Sequence, residues 1–343
     1  MSSTPVAIVG TGLVTSVGLT VAASCCAFRA KISNPFETRF IDSSGAWIMA
    51  HQVGLDPPCA GMVKLAKMAA LAIEEALQNL EKNQWHRLPL LLCVAEAERP
   101  GRLARVDDQL LTQIESELGA SFARGSATVP HGRVAVAVAL SQARTMLRSS
   151  DVPGVLIVAA DSLLSWPTLS HYEREERLLT ESNANGFMPG EGAGALWVAG
   201  VETRSKQLLC SGIGFGREPA AIDSGSPLRA DGLTEAIRRS LADAGCELAH
   251  LDFRITDNSG EHYYFKEASL ALSRTLRQRK ESFDIWHPAE CTGEVGAVSG
   301  VTVIATARDA CLKGYAPGRH ILNHWSNDAG ERAAVTLEYR EAA

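Results

Sequence analysis

Asn185-Gly-Phe-Met-Pro-Gly-Glu-Gly-Ala-Gly-Ala-Leu196 sets four glycines, at 186, 190, 192 and 194, beside one acid, Glu191, just ahead of an apolar run from Ala193 to Val198. Glycine permits positive φ angles and close backbone approach, so the segment reads as a tight, specifically shaped turn that feeds a strand.

The chain around it alternates strands with helices. Val6 to Val9 is a short apolar strand ending in a turn at Gly10-Thr-Gly12, and Leu19 to Lys31 has helical composition. The two glycines do not make a dinucleotide fingerprint, because Thr15 holds the sixth position and no acid closes a clear second strand. Leu65, Met68, Ala69, Ala72, Ile73 and Leu77 form one stripe of a helix from Val63 to Leu80, and Leu88 to Val94 follows as a buried strand. Arg105 to Leu118 reads as a helix. Arg133 to Leu147 is apolar on nearly every face and predicts a helix buried all round, before a central strand from Val155 to Ala160. Leu163 to Ala184 is polar, with Tyr172-Glu-Arg-Glu-Glu-Arg177 expected on a surface helix in a solvated connection. After Thr203 the order restarts: strand from Gln207, helix from Leu233, strand from Phe253, helices from Phe265 and Val301, and strands from Ile321 and Ala333. This predicts an α/β protein of two duplicated halves, 1–203 and 204–343, in five layers, α-β-α-β-α.

Composition bounds the function. A chain of 343 residues with 46% hydrophobic and 21% charged content can bury a large core. Its net charge of −6, with cations scattered among acids, argues against nucleic-acid binding. No apolar run reaches the roughly eighteen residues of a membrane span, and MSSTPVAIVG lacks a signal pattern, so a cytoplasmic location is expected. The cysteines, at 25, 26, 59, 93, 210, 246, 291 and 311, show no C-x-x-C spacing and read as reduced thiols filling the core. The nine histidines show no H-x-x-x-H pairing; neither metal nor cofactor is expected.

Four islands resemble the β-ketoacyl synthases, the condensing enzymes of the thiolase superfamily: Val6-Ala-Ile-Val-Gly-Thr-Gly-Leu-Val-Thr-Ser-Val-Gly18, residues 185–196, Leu241-Ala-Asp-Ala-Gly245 before Leu251-Asp-Phe253, and Gly296-Ala-Val-Ser-Gly300. They fall in family order and cover most of the chain, which is some tens of residues shorter than a typical member. The resemblance implies the thiolase-like fold and a dimer formed through central strands of the first half.

It also implies a cysteine nucleophile at the start of a buried helix and two histidines that assist decarboxylation and stabilise an enolate. The cysteine's place falls within 128–134, at Gly132, where the sequence is Ser126-Ala-Thr-Val-Pro-His-Gly-Arg-Val134. The first histidine's place falls on Asp257, in Asp257-Asn-Ser259, expected to cap the following turn. The second falls on Gly293 when Gly296-Ala297 is matched. Three substitute candidates remain: His131 at the helix start, His262 near the first place, and Cys291 within His287-Pro-Ala-Glu-Cys291. The family's glycine loop with its gating aromatic appears as Asn323-His-Trp-Ser-Asn-Asp-Ala-Gly330, where Trp325 is expected to hold the aromatic place.

The reading that follows is a β-ketoacyl-synthase-like protein without its Cys-His-His site, acting by binding. The resemblance implies several partners: a second copy, a related synthase as with the chain-length factors of polyketide systems, an acyl-carrier protein, or an effector of type VI secretion. The alternative is an acyltransferase of 3-oxoacyl-synthase type in fatty acid or polyketide biosynthesis, using other residues on acyl thioesters.

Overall fold

The computed structural model describes residues 4–149, 152–203 and 205–341. Its strands are β1 (Val6–Val14), β2 (Phe36–Ile41), β3 (Trp47–Ala50), β4 (Leu90–Cys93), β5 (Ala127–Val129), β6 (Val155–Ser162), β7 (Glu191–Ala199), β8 (Gln207–Arg217), β9 (Phe253–Thr256), β10 (Ile285–Trp286), β11 (His320–Ser326) and β12 (Glu331–Arg340). Its α-helices are α1 (Val21–Ala30), α2 (Gly61–Ala76), α3 (Val106–Leu118), α4 (Ala135–Ser149), α5 (Trp166–Arg174), α6 (Asp231–Ala244), α7 (His262–Thr275), α8 (Ala289–Thr292) and α9 (Ser299–Leu312).

Ten strands run in the order β10-β9-β11-β12-β8-β1-β7-β6-β4-β5. Outward from β1 the partners β7, β6, β4 and β5 are joined antiparallel, antiparallel, parallel and parallel. Outward from β8, the partners β12, β11, β9 and β10 repeat those relations. The two halves meet where Val6–Ile8 pairs with Leu208–Cys210.

Alternation of side chains along each strand then builds the layers. Leu91, Cys93, Ile157 and Ala159 share one core with Phe253, Ile255, Ile321 and Val335 of the other half, with Val136, Leu140, Val301 and Ile304 of α4 and α9 between them. Their neighbours Leu90, Leu92, Leu156 and Val158 face Met68 and Ile73 of α2 and Leu110 and Ile114 of α3. In the second half Leu322 and Ala334 face Leu233 and Ile237 of α6 and Ala271 of α7. The sheet therefore turns back at its seam and encloses α4 and α9, which makes the five layers.

Three local expectations change. Gly10-Thr-Gly12 is not a turn: β1 runs through it, and a Cβ on Gly10 or Gly12 would lie 2.1 or 1.8 Å from the carbonyl oxygens of Ala76 and Ala72 in α2. Gly212, Gly214 and Gly216 in β8 meet α6 in the same way, each with a Cβ position 2.1 Å from a helix carbonyl. Bare backbone on these faces lets each helix lie directly on its strand. The helix buried all round is α9, with twelve of its fourteen residues buried; α4 exposes Gln142, Thr145 and Arg148. Residues 185–196 are less a turn than a strand: β7 begins at Glu191, and none of its four glycines has a positive φ. Their absent side chains serve close approach instead, since a Cβ would lie 2.3 Å from Thr292 O at Gly190, 2.7 Å from Val14 O at Gly192 and 2.5 Å from Val301 Cγ1 at Gly194. Glu191 is buried, accepts from Ser162 Oγ at 2.9 Å and from the Val53 amide at 3.0 Å, and pairs with Lys64.

Candidate functional site

Four connections converge at one end of α4 and α9: residues 130–134 before α4, 257–261 before α7, 293–298 before α9, and 327–330 between β11 and β12. Arg133, buried despite its charge, ties them together. It donates to Asp328 Oδ1 at 2.6 Å, to Tyr264 Oη at 2.7 Å and to Glu294 Oε2 at 3.3 Å, with Asp257 Oδ2 at 4.0 Å. Arg177 approaches Asp328 from the other side, at 2.8 and 3.1 Å, and forks onto both oxygens of Glu261 at 2.7 and 2.9 Å. Tyr172 Oη donates to Asp328 Oδ2 at 3.2 Å. Beside them Arg99 pairs with Asp161 at 2.6 Å. A buried charge is tolerated where it is paired and hydrogen-bonded, and these groups meet that condition. The cavity left among Glu96, Arg99, Tyr172, Glu261 and Asp328 is about 20 Å³, room for about one water.

Electrostatics follow from this packing. Burial raises the Asp328 carboxyl, but Arg133 and Arg177 outweigh it and hold it well below the usual range. Asp257 is pushed up to about 7 by burial, with Arg133 opposing and Glu294 adding to the rise. Glu96 and Glu261 are raised by burial, partly offset by Arg99 and Arg177 respectively.

Gly132 stands at the start of this end of α4 with φ +51°, and a Cβ there would lie 2.0 Å from Glu96 Oε2. The second half repeats the device: Gly296, φ +58°, precedes α9, and its Cβ would lie 2.1 Å from Asp161 Oδ2. Asp257 caps no helix. It accepts the Ser326 amide at 3.1 Å from β11, while α7 starts five residues later with no side-chain cap. Gly293 faces away from Arg133: with φ +66°, its Cβ would lie 2.3 Å from Met188 O and 2.9 Å from His51 Cδ2. The side chain reaching the centre belongs to its neighbour Glu294, which also accepts from the Gly296 amide and Ser259 Oγ, both at 2.9 Å.

The substitute candidates do not assemble. His131 is half-buried at the rim, its Nδ1 3.4 Å from Glu331 Oε2. His262 is exposed on the first turn of α7, and its amide donates to Asn185 Oδ1. Cys291 is buried in α8 with its thiol pushed up to about 11 by burial, and His287 pairs with Glu290 at 2.6 Å. Trp325 is no gate. It lies in β11, fully buried in the central core, and the loop after it presents Asp328.

The expected solvated connection from 163 to 184 is corrected too, since Tyr172 and Arg177 point inward and are buried. Their acidic neighbours disguise them in the sequence. Arg133 was the legible signal, because a lone arginine in an otherwise apolar helix start requires an acid to meet it.

Beyond this centre, a cavity of about 340 Å³ opens among His51, Met188, Asn258, Ser259, Phe265 and His287. Asn258 Nδ2 and His287 Nδ1 are buried without partners, and burial takes His51 down to about 4, leaving it neutral at pH 7. Among the described residues no group of three or more His, Cys, Asp or Glu is placed to hold a metal ion, and no helix is long and apolar enough to cross a membrane.

No protein-family model and no curated protein matches the sequence. Solved structures do match. A chain of AntDE:AntF, a type II polyketide acyl-carrier protein in complex with its ketosynthase, aligns with a TM-score of 0.78 at 16% identity over 98% of this chain and 100% of that one. The ishigamide ketosynthase/chain length factor aligns with a TM-score of 0.77 at 18% identity over 98% and 100%. The ketosynthase from module 6 of the bacillaene synthase of Bacillus subtilis 168 aligns with a TM-score of 0.77 at 12% identity over 98% and 72%. Over 98% of its length, then, the chain has the thiolase-like α-β-α-β-α fold of the ketosynthases.

Proposed function

We propose that this chain is a ketosynthase-like subunit that does not condense and works by binding a related synthase or a second copy of itself. One observation carries the reading: the convergence of loops before α4 and α9 is filled by Arg133, Arg177, Asp328 and Glu294, with neither a thiol nor an imidazole at Gly132, Asp257 or Gly293. Glu96 occupies the space a side chain on residue 132 would need. Polyketide chain-length factors are the functional analogue, and the descriptions of three of the matching structures name one. The edge strand β5, paired only to β4, offers free backbone groups for a second chain.

Intact-mass measurement after incubation with malonyl and acyl thioesters of coenzyme A and acyl-carrier protein tests the absence of chemistry, and the expected result is an unchanged mass and unconsumed thioester. Co-expression with a related ketosynthase tests the partnership, with a stable two-chain complex or a homodimer expected by sedimentation.

A second reading, acyl transfer by non-standard residues, is favoured by the 340 Å³ cavity, which is lined by Ser259 and the neutral His51 together with Asn258 and His287, whose Nδ2 and Nδ1 are unpartnered. An acyl mass on any residue, or thioester turnover abolished by His131→Ala, selects it over the binding role.

A further inference from the structure

A separate cavity of about 410 Å³ lies between the last turns of α1, the β10–α8 connection and the end of α9. This is within the size range of small-molecule sites. Its walls are Phe28, Ile285, Trp286 and Tyr315, with the thiols of Cys25 and Cys291 at its base. Burial pushes Cys25 up to about 12 and Cys291 to about 11, so both are protonated at pH 7 and act as apolar surface. The rings of Trp286 and Tyr315 stand nearly parallel, 21° apart in plane with centroids 6.2 Å apart.

Charge at the rim is unbalanced. Glu290 is met by both His287, at 2.6 Å, and Lys31, at 3.5 Å. Arg29 lies over the Tyr315 ring with its guanidinium carbon 4.1 Å from the centroid, and among the described residues it has no carboxylate partner. The α1 carbonyls that would repel an anion there are already taken, since Lys31 and Ile32 amides donate to Phe28 and Ala27 oxygens at 3.2 and 2.9 Å. We infer that this cavity binds a small aromatic monocarboxylate, its ring against Trp286 and Tyr315 and its carboxylate on Arg29. Aromatic walls favour an aromatic ring packed on their exposed edges over an aliphatic tail, and a planar guanidinium pre-oriented on a ring suits a carboxylate fork. The site is separate from the Arg133 network and does not depend on whether the chain condenses.

Isothermal titration of the intact protein with 2-naphthoate tests it, with 2-naphthamide as the neutral isostere and decanoate as the aliphatic acid. Saturable binding of 2-naphthoate is expected, weakened about tenfold by R29Q, as loss of a charge-assisted hydrogen bond would give, and little changed by K31Q. Binding of 2-naphthamide should be weaker and indifferent to R29Q. Cys291→Phe, which fills the base, should abolish binding of both; should that variant misfold, the R29Q comparison still decides. No saturable binding at millimolar 2-naphthoate, equal affinity in R29Q, or tighter binding of decanoate would overturn the assignment.

Discussion

At the scale of single residues, Gly132 carries the most information. Its left-handed backbone disfavours a side chain, and the Glu96 carboxylate stands where a Cβ would go. Gly132→Cys, which would put a thiol at the place the resemblance assigns to the condensing enzymes' nucleophile, is therefore expected to lower stability by about 2–4 kcal/mol, read from the urea midpoint, and to gain no acyl adduct by mass. Asp257 gives a pH signature. Its carboxyl titrates at about 7 in the folded chain against an ordinary 3.8, so the native state binds the proton more tightly, and stability falls as pH rises from about 4 to about 7, then levels off. Asp328 works in the opposite sense: held low, its contribution is present above its ordinary value and lost as the solution is acidified below it. Asp257→Asn should remove up to about 1.4 kcal/mol per pH unit of the downward slope between pH 4 and 7, measured by urea titrations across that interval. An unchanged slope would show that Asp257 is not the group responsible.

Among elements, the alternating strands and striped helices were legible because periodicity is local: the stripe at Leu65, Met68, Ala72 and Ile73 faces the core as expected. What periodicity could not supply was the polar centre. Arg177 meets Glu261 across 84 positions of sequence and Arg133 meets Asp328 across 195, and no short window contains both members of either pair. The run Tyr172 to Arg177 looks solvated because its intervening acids are; only the fold distinguishes the two residues that turn inward. The loop matched to the second histidine's place shows the same limit. Matching Gly296-Ala297 located the loop but not the direction of its side chains, and Glu294 rather than residue 293 faces Arg133. The contact of α2 on β1 provides a direct test of the glycine faces. Gly12→Ala should force α2 off the strand at about 1–3 kcal/mol, whereas Gly200→Ala, with open space around it, should stay within about 0.5 kcal/mol by urea midpoint.

For the molecule as a whole, the duplicated strand order and the paired glycines at 132 and 296 extend the internal symmetry from the sheets to the entrance of each central helix. That symmetry leaves β5 and β10 as the two sheet edges. If copies or partners join at β5, a charge on its exposed residue Ala127 is carried into the paired edge, twice over in a two-fold dimer. Ala127→Asp is expected to convert a homodimer to monomer in sedimentation while leaving the thermal midpoint of the monomer fold nearly unchanged; an intact dimer would place the contact elsewhere.

The inventory of the polar centre leads further. Six carboxyls, Glu96, Asp161, Asp257, Glu261, Glu294 and Asp328, surround three guanidinium groups, those of Arg99, Arg133 and Arg177. Burial pushes Asp257 up to about 7 and raises Glu96 and Glu261, so near neutrality the native interior favours hydrogen ions that solvent claims once the chain opens. Calorimetric melting at pH 6 should accordingly show an apparent enthalpy that varies with the buffer's own heat of ionisation, phosphate against Bis-Tris, and the size of that dependence counts the hydrogen ions the folded protein had been keeping.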